Sequence, residues 1–306
     1  MATFHPDLKI ARFLPNMSFG PRVASMVRRL EKYAKPPKLP EGVTVEEVIV
    51  PGAPGGPELS VRLYRPATRP AAAMLWIHGG GFIIGNPLQD ELSSAGFAKE
   101  LGIVVAAVSY RLAPQQPFPA PMDDCYAALK WLHGEATRLE FDPARIIIAG
   151  ASAGGGLAAG LTLLAHDRGE VKPMFQLLIY PMIDDRTVTR TDVRPDDLRV
   201  WSVGSNEYGW RSYLNAEPGG ATASHYAAPA RREVLAGLPP TWIGVGTLDL
   251  FHDEDLAYAG RLKEAGVQCE LTVVPGAFHG FDAVFPKAPV SREFRGAQLA
   301  ALRRVL

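Results

Sequence analysis

Hydrophobic residues along this chain gather in short, continuous runs, and amphipathic segments separate the later runs. Eight runs predict strands, at residues 43–50, 59–64, 72–78, 104–108, 146–149, 175–180, 242–245 and 270–274. Helical periodicity predicts five helices, at residues 90–100, 122–133, 155–167, 255–265 and 292–304. Because uninterrupted apolar runs are typical of buried parallel strands, this order predicts an α/β protein with a mostly parallel, eight-stranded sheet flanked by helices.

Two segments depart from this strand–helix rhythm. Residues 1–40 look like one or two short helices that lead into a Pro-rich linker, and residues 184–238 separate two strands by far more than an ordinary connection. The longer segment contains the aromatic residues Trp201, Tyr208 and Trp210. Its position after a sheet strand favours a lid over a pocket rather than extra packing. We therefore predict an N-terminal cap at 1–40, an α/β core at 41–183 and 239–306, and a cap insertion at 184–238.

Charge and composition restrict the classes of partner. The 306 residues include 32 basic and 32 acidic side chains, so no overall field attracts nucleic acid or an anionic membrane. Residues 146–165 are uncharged, but their five glycines fit a strand–turn–helix better than a membrane span. We predict no nucleic-acid partner and no stable membrane insertion.

The cysteines and the N-terminus bear on the compartment. Cys125 and Cys269 form neither a metal-type spacing nor a disulfide framework, which fits a reducing compartment, although a single bridge between them stays open. The first residues include Asp7 and Lys9 and lack the apolar run of a secretory signal. These features predict a cytoplasmic protein.

One small apolar run contains a candidate nucleophile. Gly150-Ala151-Ser152-Ala153-Gly154 matches G-x-S-x-G between a predicted strand and a predicted helix, which is the context of a nucleophile elbow. Gly150 and Gly154 allow the strand and helix backbones to approach closely, and the helix N-terminus offers free N–H groups. A phosphate loop is disfavoured because no Lys-Ser or Lys-Thr pair follows the glycines.

A second glycine-rich segment follows the third predicted strand. It reads His78-Gly79-Gly80-Gly81-Phe82. Three glycines are also consistent with an ordinary loop, but acyl chemistry needs backbone N–H donors aimed at a developing oxyanion. An H-G-G-G loop at this place is used by α/β-hydrolase esterases, together with the N–H of the residue after the nucleophile.

A serine nucleophile needs a base. Four histidines follow Ser152, namely His166, His225, His252 and His279. His166 lies inside a predicted helix, His225 lies in the long insertion, and His252 stands among acidic residues. His279 follows the last predicted strand, so we predict that it is the base.

The base in turn needs an acid to orient it. Asp249 comes directly after a predicted strand, whereas Asp253, Glu254 and Asp255 fit better as first-turn acids of the next helix. Asp249 would accept the Nδ1–H of His279 and fix its tautomer.

These motifs together resemble a known family. H-G-G-G-F, Y-R-L-A-P at 110–114, G-x-S-A-G-G and the final F-H-G-F occur in the order found in hormone-sensitive-lipase-like carboxylesterases of the α/β-hydrolase fold. The resemblance runs from about residue 40 to the C-terminus. It implies a Ser152–His279–Asp249 triad, an oxyanion hole formed by the N–H groups of Gly80, Gly81 and Ala153, and a helical cap. The resemblance implies no metal and no cofactor. It also implies a possible homodimer, formed through the last strand and its neighbouring helix.

Three positions differ from the family pattern. Ala151 stands where the family commonly has Asp, Leu250 where it has Pro, and Gln115 where it has Glu. All three lie outside the triad. We expect them to affect local rigidity and the pH profile rather than the type of reaction.

The motifs predict a serine carboxylesterase for short-to-medium acyl esters that acts through an acyl-enzyme. No strongly amphipathic, basic lid helix is evident from the sequence, which disfavours an interfacial lipase. An amidase or arylformamidase with the same triad and a non-catalytic small-molecule receptor on this fold stay open. The candidate pocket-lining residues, each equally suited to the core, are Phe82, Trp201, Tyr208, Trp210 and Phe281.

Overall fold

The architecture is taken from a computed structural model that describes residues 3–15, 17–31 and 33–306. Met1, Ala2, Asn16 and Lys32, which belong to the predicted N-terminal cap, lie outside the described residues.

All eight predicted strands are present in one sheet. They are β1 (Val43–Val50), β2 (Leu59–Pro66), β3 (Ala73–Ile77), β4 (Val104–Val108), β5 (Ile146–Ala151), β6 (Phe175–Ile179), β7 (Thr241–Leu248) and β8 (Cys269–Phe278). Their order is β1-β2-β4-β3-β5-β6-β7-β8. The pairs β1–β2 and β2–β4 are antiparallel and the others are parallel, so the carboxyl ends of β3, β5, β7 and β8 meet at one edge.

The five predicted helices are present with shifted ends, and the described residues form three further α-helices. The set is α1 (Pro21–Glu31), α2 (Glu91–Leu101), α3 (Ala120–Gly134), α4 (Ala153–Arg168), α5 (Val203–Leu214), α6 (His252–Glu264), α7 (Phe281–Val284) and α8 (Pro289–Arg303). A 3-10 helix at Pro6–Phe13 precedes α1. The region predicted as the N-terminal cap therefore holds two short helices.

Helices cover both faces of the sheet, which explains why strands such as β3 and β4 are wholly apolar. Leu75 of β3 belongs to a cluster with residues of α3, α4 and α6, such as Leu129, Leu161 and Leu262. The next residue, Trp76, belongs to a second cluster with residues of α2 and α8, such as Phe97. Successive side chains of a strand point to opposite faces, so both faces need apolar residues.

The long insertion is tied together at its base. Asp185, near its start, is fully buried and forms an ion pair with Arg231 near its end, with Nε and Oδ1 2.6 Å apart. The same carboxylate accepts the N–H of Gly219 at 2.7 Å. We call the Asp185–Arg231 pair the neck of the insertion. Helix α5 and the aromatic residues Trp201, Tyr208 and Trp210 lie between these two residues in the chain.

Candidate active site

Ser152 stands at the sharp turn between β5 and α4. Its backbone has φ 57° and ψ −124°, a conformation that side chains other than glycine rarely adopt. Its N–H donates to the carbonyl of Ile179 at 2.9 Å, and its carbonyl accepts from Met182 at 3.0 Å. A Cβ on Gly154 would lie 2.1 Å from the carbonyl oxygen of Ile77. The small residues are thus required by the close packing of strand and helix, and this is the geometry of a nucleophile elbow.

Ser152, His279 and Asp249 form a continuous chain of hydrogen bonds. The Nε2 of His279 lies 2.9 Å from the Oγ of Ser152, and its Nδ1 lies 2.8 Å from Oδ2 of Asp249. The other oxygen of Asp249 accepts the N–H of Phe251 at 3.0 Å. Because a carboxylate only accepts, Nδ1 of His279 carries the proton and Nε2 is free to accept the serine hydroxyl.

The imidazole of His279 is fixed by two aromatic rings. Tyr180 and Phe251 meet it edge to face, with ring centroids 4.8 and 5.1 Å away. Ser152, Asp249 and His279 are 7%, 6% and 5% exposed, so their interactions are shielded from water. Sequence reasoning missed Tyr180, although it follows β6 at the same sheet edge.

The other three histidines after Ser152 make different contacts. His166 is exposed at the end of α4. His225 lies 3.0 Å from Arg232, and Nδ1 of His252 lies 2.7 Å from Asp253. Of the four, His279 is the one bonded to Ser152.

The H-G-G-G loop lies beside the serine. A Cβ on Gly79 would lie 3.2 Å from that of Ser152. Gly80 and Gly81 have φ values of 114° and 60°, which favour glycine. Ala153 is the first residue of α4, so its N–H has no acceptor within the helix. The glycine loop and the first residue of α4 therefore both lie next to Ser152.

Trp201 of the insertion covers this loop. A Cβ on Gly81 would lie 2.0 Å from Cη2 of Trp201. Phe19, from the N-terminal segment, stacks on Trp201 with ring centroids 5.9 Å apart. The two segments predicted to form the cap thus meet directly above the loop.

The remaining predicted lining residues have separate positions. Phe82 is fully buried and stacks on Tyr213 of α5 at 4.0 Å, with Trp210 also in contact. Tyr208 is half-buried against the same cluster. Phe281 packs against Phe294 of α8 in the second hydrophobic cluster. Its neighbours make it a core residue.

His78 supports the loop from below. Its ring stacks on Tyr110 at 4.2 Å, and its Nδ1 donates to the carbonyl of Gly79 at 2.8 Å. Burial lowers the pKa of His78 to about 4, so the side chain is neutral. Tyr110 begins the Y-R-L-A-P motif. The residue after it, Arg111, forms an ion pair with the buried Asp124 at 2.7 Å.

A cavity of about 190 Å³ lies behind the elbow, and Ala151 is in its wall. Burial raises the pKa of Asp90 there to about 6, aided by nearby Asp282 and opposed by the indole N–H of Trp76. Burial also raises the pKa of Asp282, which accepts the Tyr180 hydroxyl at 2.9 Å. The Asp common in the family at position 151 would be a third acidic group here. At Ala151, where this chain differs from the family pattern, the cavity wall thus already contains two carboxyl groups, those of Asp90 and Asp282.

Two of the first-turn acids of α6, Glu254 and Asp255, are buried. Glu254 accepts the N–H groups of Ile183 and Asp184 at 2.8 and 3.1 Å, so α6 holds the start of the insertion. Asp255 is fully buried, and its oxygens have no hydrogen-bond partner within the described chain. Burial raises the pKa of Asp255 well above its usual value, and Glu254 and Asp249 raise it further. Nothing in the local sequence indicates these contacts.

The other two departures from the family pattern have structural partners. Gln115 accepts a hydrogen bond from Arg28 of α1. Leu250 is buried and precedes Phe251, whose N–H holds Asp249. Among the described residues there is no cluster of three or more metal-ligating side chains, and no helix is long and apolar enough to cross a membrane.

Known proteins are similar to this chain in sequence and in architecture. The family model of the alpha/beta hydrolase fold matches residues 74–283. The chain is 34% identical over 286 residues to the carboxylesterase NlhH of Mycobacterium tuberculosis, covering 91% of this chain and 88% of that relative. It is 34% identical over 231 residues to an ethyl acetate hydrolase of Pseudomonas putida, covering 74% and 72% of the two chains. A bacterial heroin esterase has a similar structure, with a TM-score of 0.91, 40% identity and coverage of 99% and 98%. The predicted resemblance is thereby confirmed, and the chain belongs to the α/β-hydrolase fold family.

Proposed function

We propose that this protein hydrolyses short-to-medium acyl esters through an acyl-enzyme formed on Ser152. The protein is a carboxylic ester hydrolase, like its relatives in the family. The observation that carries the proposal is the unbroken hydrogen-bond chain from Ser152 through His279 to Asp249. That chain supplies a nucleophile, a base and a group that fixes the tautomer of the base.

The proposed reaction has two halves. Ser152 Oγ attacks the ester carbonyl while His279 Nε2 takes its proton, and the N–H groups of Gly80, Gly81 and Ala153 stabilise the oxyanion. His279 then gives the proton to the departing alcohol, which leaves Ser152 acylated. In the second half His279 takes a proton from water, whose oxygen attacks the acyl carbonyl. The bond to Ser152 Oγ then breaks, His279 returns the proton to Oγ, and the acid leaves. Asp249 stabilises the imidazolium in both halves.

Two parts of the chain are proposed to define the substrate pocket. Residues 1–40 and 184–238 form the cap over the core, and the contact of Phe19 with Trp201 supports this assignment. One relative is an ethyl acetate hydrolase, which supports small esters as substrates. The cysteines Cys125 and Cys269 are free, which supports a cytoplasmic location. A homodimer through β8 and α8 is the proposed assembly, because β8 is an edge strand of the sheet.

The test is a Ser152→Ala variant assayed with p-nitrophenyl acetate and p-nitrophenyl butyrate. We expect turnover to disappear while the thermal unfolding midpoint stays close to that of the wild type. A fluorophosphonate probe should label the wild type and not the variant. Retained turnover in Ser152→Ala would overturn the assignment, and a wild type that resists labelling and turnover would support a receptor instead.

A further inference from the structure

Exposed large hydrophobic side chains are concentrated in one short stretch of the chain. Ten occur in the described chain, and six of them lie between residues 10 and 33. Their exposure ranges from 49% for Met17 to 82% for Tyr33. The six residues are Ile10, Phe13, Met17, Met26, Leu30 and Tyr33. We call them the N-terminal apolar surface.

The same part of the chain is strongly basic. Residues 1–40 contain eight Lys and Arg and two Asp and Glu, a net charge of +6, whereas the whole chain is neutral. The balanced total therefore hides a local excess of positive charge, and the rest of the chain carries the opposite excess. Such asymmetry is typical of chains that contact an anionic surface.

Helix α1 has two different faces. Its inner face holds the buried Ala24, Arg28 bonded to Gln115, and Glu31, which accepts the N–H of Gly85 at 3.0 Å. Its outer face carries Met26 and Leu30, which are one turn apart and exposed. The inner contacts fix the helix on the core, so the outer apolar side chains stay on the surface.

Exposed arginines flank these apolar side chains. Arg22 and Arg29 lie one turn before and one turn after Met26, and both are exposed. Neither takes part in an ion pair within the described chain. In the preceding 3-10 helix, the guanidinium of Arg12 lies over the Phe13 ring, 4.5 Å from its centroid. Helix α1 thus combines apolar and basic residues on its outer face, and its apolar outer residues are too widely spaced to form a visible run in the sequence.

We propose that the N-terminal apolar surface docks onto an anionic lipid bilayer. An in-plane helix with apolar side chains between basic ones binds by burying the former in the headgroup region and placing the latter among anionic lipids. The net charge of +6 supplies the complementarity. Because the contact is peripheral, it agrees with the absence of a spanning helix among the described residues.

The docked surface is part of the proposed cap and would adjoin its other part, the insertion. Phe19 lies between Met17 and α1, its N–H donates to Ser205 at 2.8 Å, and its ring stacks on Trp201 above the glycine loop. Apolar esters that partition into the bilayer would thus be concentrated beside the cap. Docking itself needs no catalysis, so it is measured independently of the proposed activity.

The experiment is cosedimentation of the full chain with vesicles. Vesicles of equal parts phosphatidylcholine and phosphatidylglycerol are compared with phosphatidylcholine alone, at about 0.05 and 0.5 M salt. We expect binding to the mixed vesicles that weakens in high salt. The double variant Arg22→Gln/Arg29→Gln should bind about 25-fold more weakly, since each basic residue near an anionic surface contributes about fivefold. The double variant Met26→Ser/Leu30→Ser should lose about tenfold or more in both salts.

Matched controls are Lys172→Gln and Val234→Ser, which alter exposed side chains outside the surface and should leave vesicle binding unchanged. Thermal unfolding midpoints verify that every variant is folded. No binding to mixed vesicles, or equal binding by the wild type and both double variants, would overturn the proposal. So would concentration-dependent dimerisation that Met26→Ser/Leu30→Ser abolishes, because a second copy would then cover the surface.

Discussion

Replacement of Gly81 by Ala tests the glycine loop most directly. The new Cβ would lie 2.0 Å from Cη2 and 2.6 Å from Cζ2 of Trp201, so one of the two must move. The backbone φ of 60° adds about 1–2 kcal/mol of strain for any L side chain. If the loop moves, the N–H of residue 81 leaves the position proposed for stabilising the oxyanion. Loss of one such donor lowers the rate about 100- to 1000-fold, or about 2.7–4 kcal/mol of transition-state stabilisation.

The assay is steady-state kinetics on p-nitrophenyl acetate, with kcat and KM resolved. We expect kcat to fall about 100-fold or more and KM to change little, because the donor acts on the transition state. Trp201→Phe removes Cη2 and makes room for the new Cβ. The double variant Gly81→Ala/Trp201→Phe should therefore be faster than Gly81→Ala alone.

Two results would refute this reasoning. Wild-type kcat in Gly81→Ala would show either that Trp201 moves and the loop does not, or that the N–H of residue 81 does not stabilise the oxyanion. A double variant as slow as Gly81→Ala would show that backbone strain, rather than contact with Trp201, displaces the loop.

Three further predictions concern the triad, a buried ion pair and a buried acid. Asp249→Asn should lower kcat about 10,000-fold by favouring the wrong tautomer of His279; a loss below tenfold in kinetic assays would contradict that role. Asp124→Ala should lower the free energy of unfolding by about 3–5 kcal/mol, because it leaves Arg111 unpaired, whereas denaturant titration of Asp123→Ala, the adjacent half-buried acid, should show a smaller loss. The pKa of Asp90 is raised to about 6 in the folded state, so the folded protein holds this proton more tightly than the unfolded chain does. The contribution of Asp90 to stability is therefore lost as the pH rises from the unfolded pKa to about 6. Asp90→Asn should therefore gain about 2 kcal/mol relative to wild type between pH 4 and pH 7, after allowance for partial exposure; parallel stability–pH curves from denaturation would disprove this.

The sequence pattern predicted the sheet because its strands are buried on both faces. A strand such as Val104–Val108 has no polar position and leaves no ambiguity of period. Ser152, Asp249 and His279 were likewise accessible to prediction, since each directly follows or ends a strand and strands of a parallel sheet end at one edge.

Contacts between distant polar residues could not be predicted in this way. Asp185 and Arg231 are 46 positions apart and lie in a segment without periodic apolar residues. Glu254 has the sequence context of an ordinary first-turn acid. Its partners, Ile183 and Asp184, nevertheless lie about 70 residues earlier, in the segment that follows β6. Phe281 shows the converse, because an aromatic residue beside a histidine at the sheet edge can still point into the core.

The neck makes the insertion, the longer part of the proposed cap, a separable module. Since Asp185 and Arg231 hold its two ends together, the chain enters and leaves the insertion at nearly the same point. A cap from another member of the family could be grafted between these two positions without changing the strands on either side. The pair thus marks the joining points for chimeras in which pocket shape is exchanged and the Ser152–His279–Asp249 chain is kept.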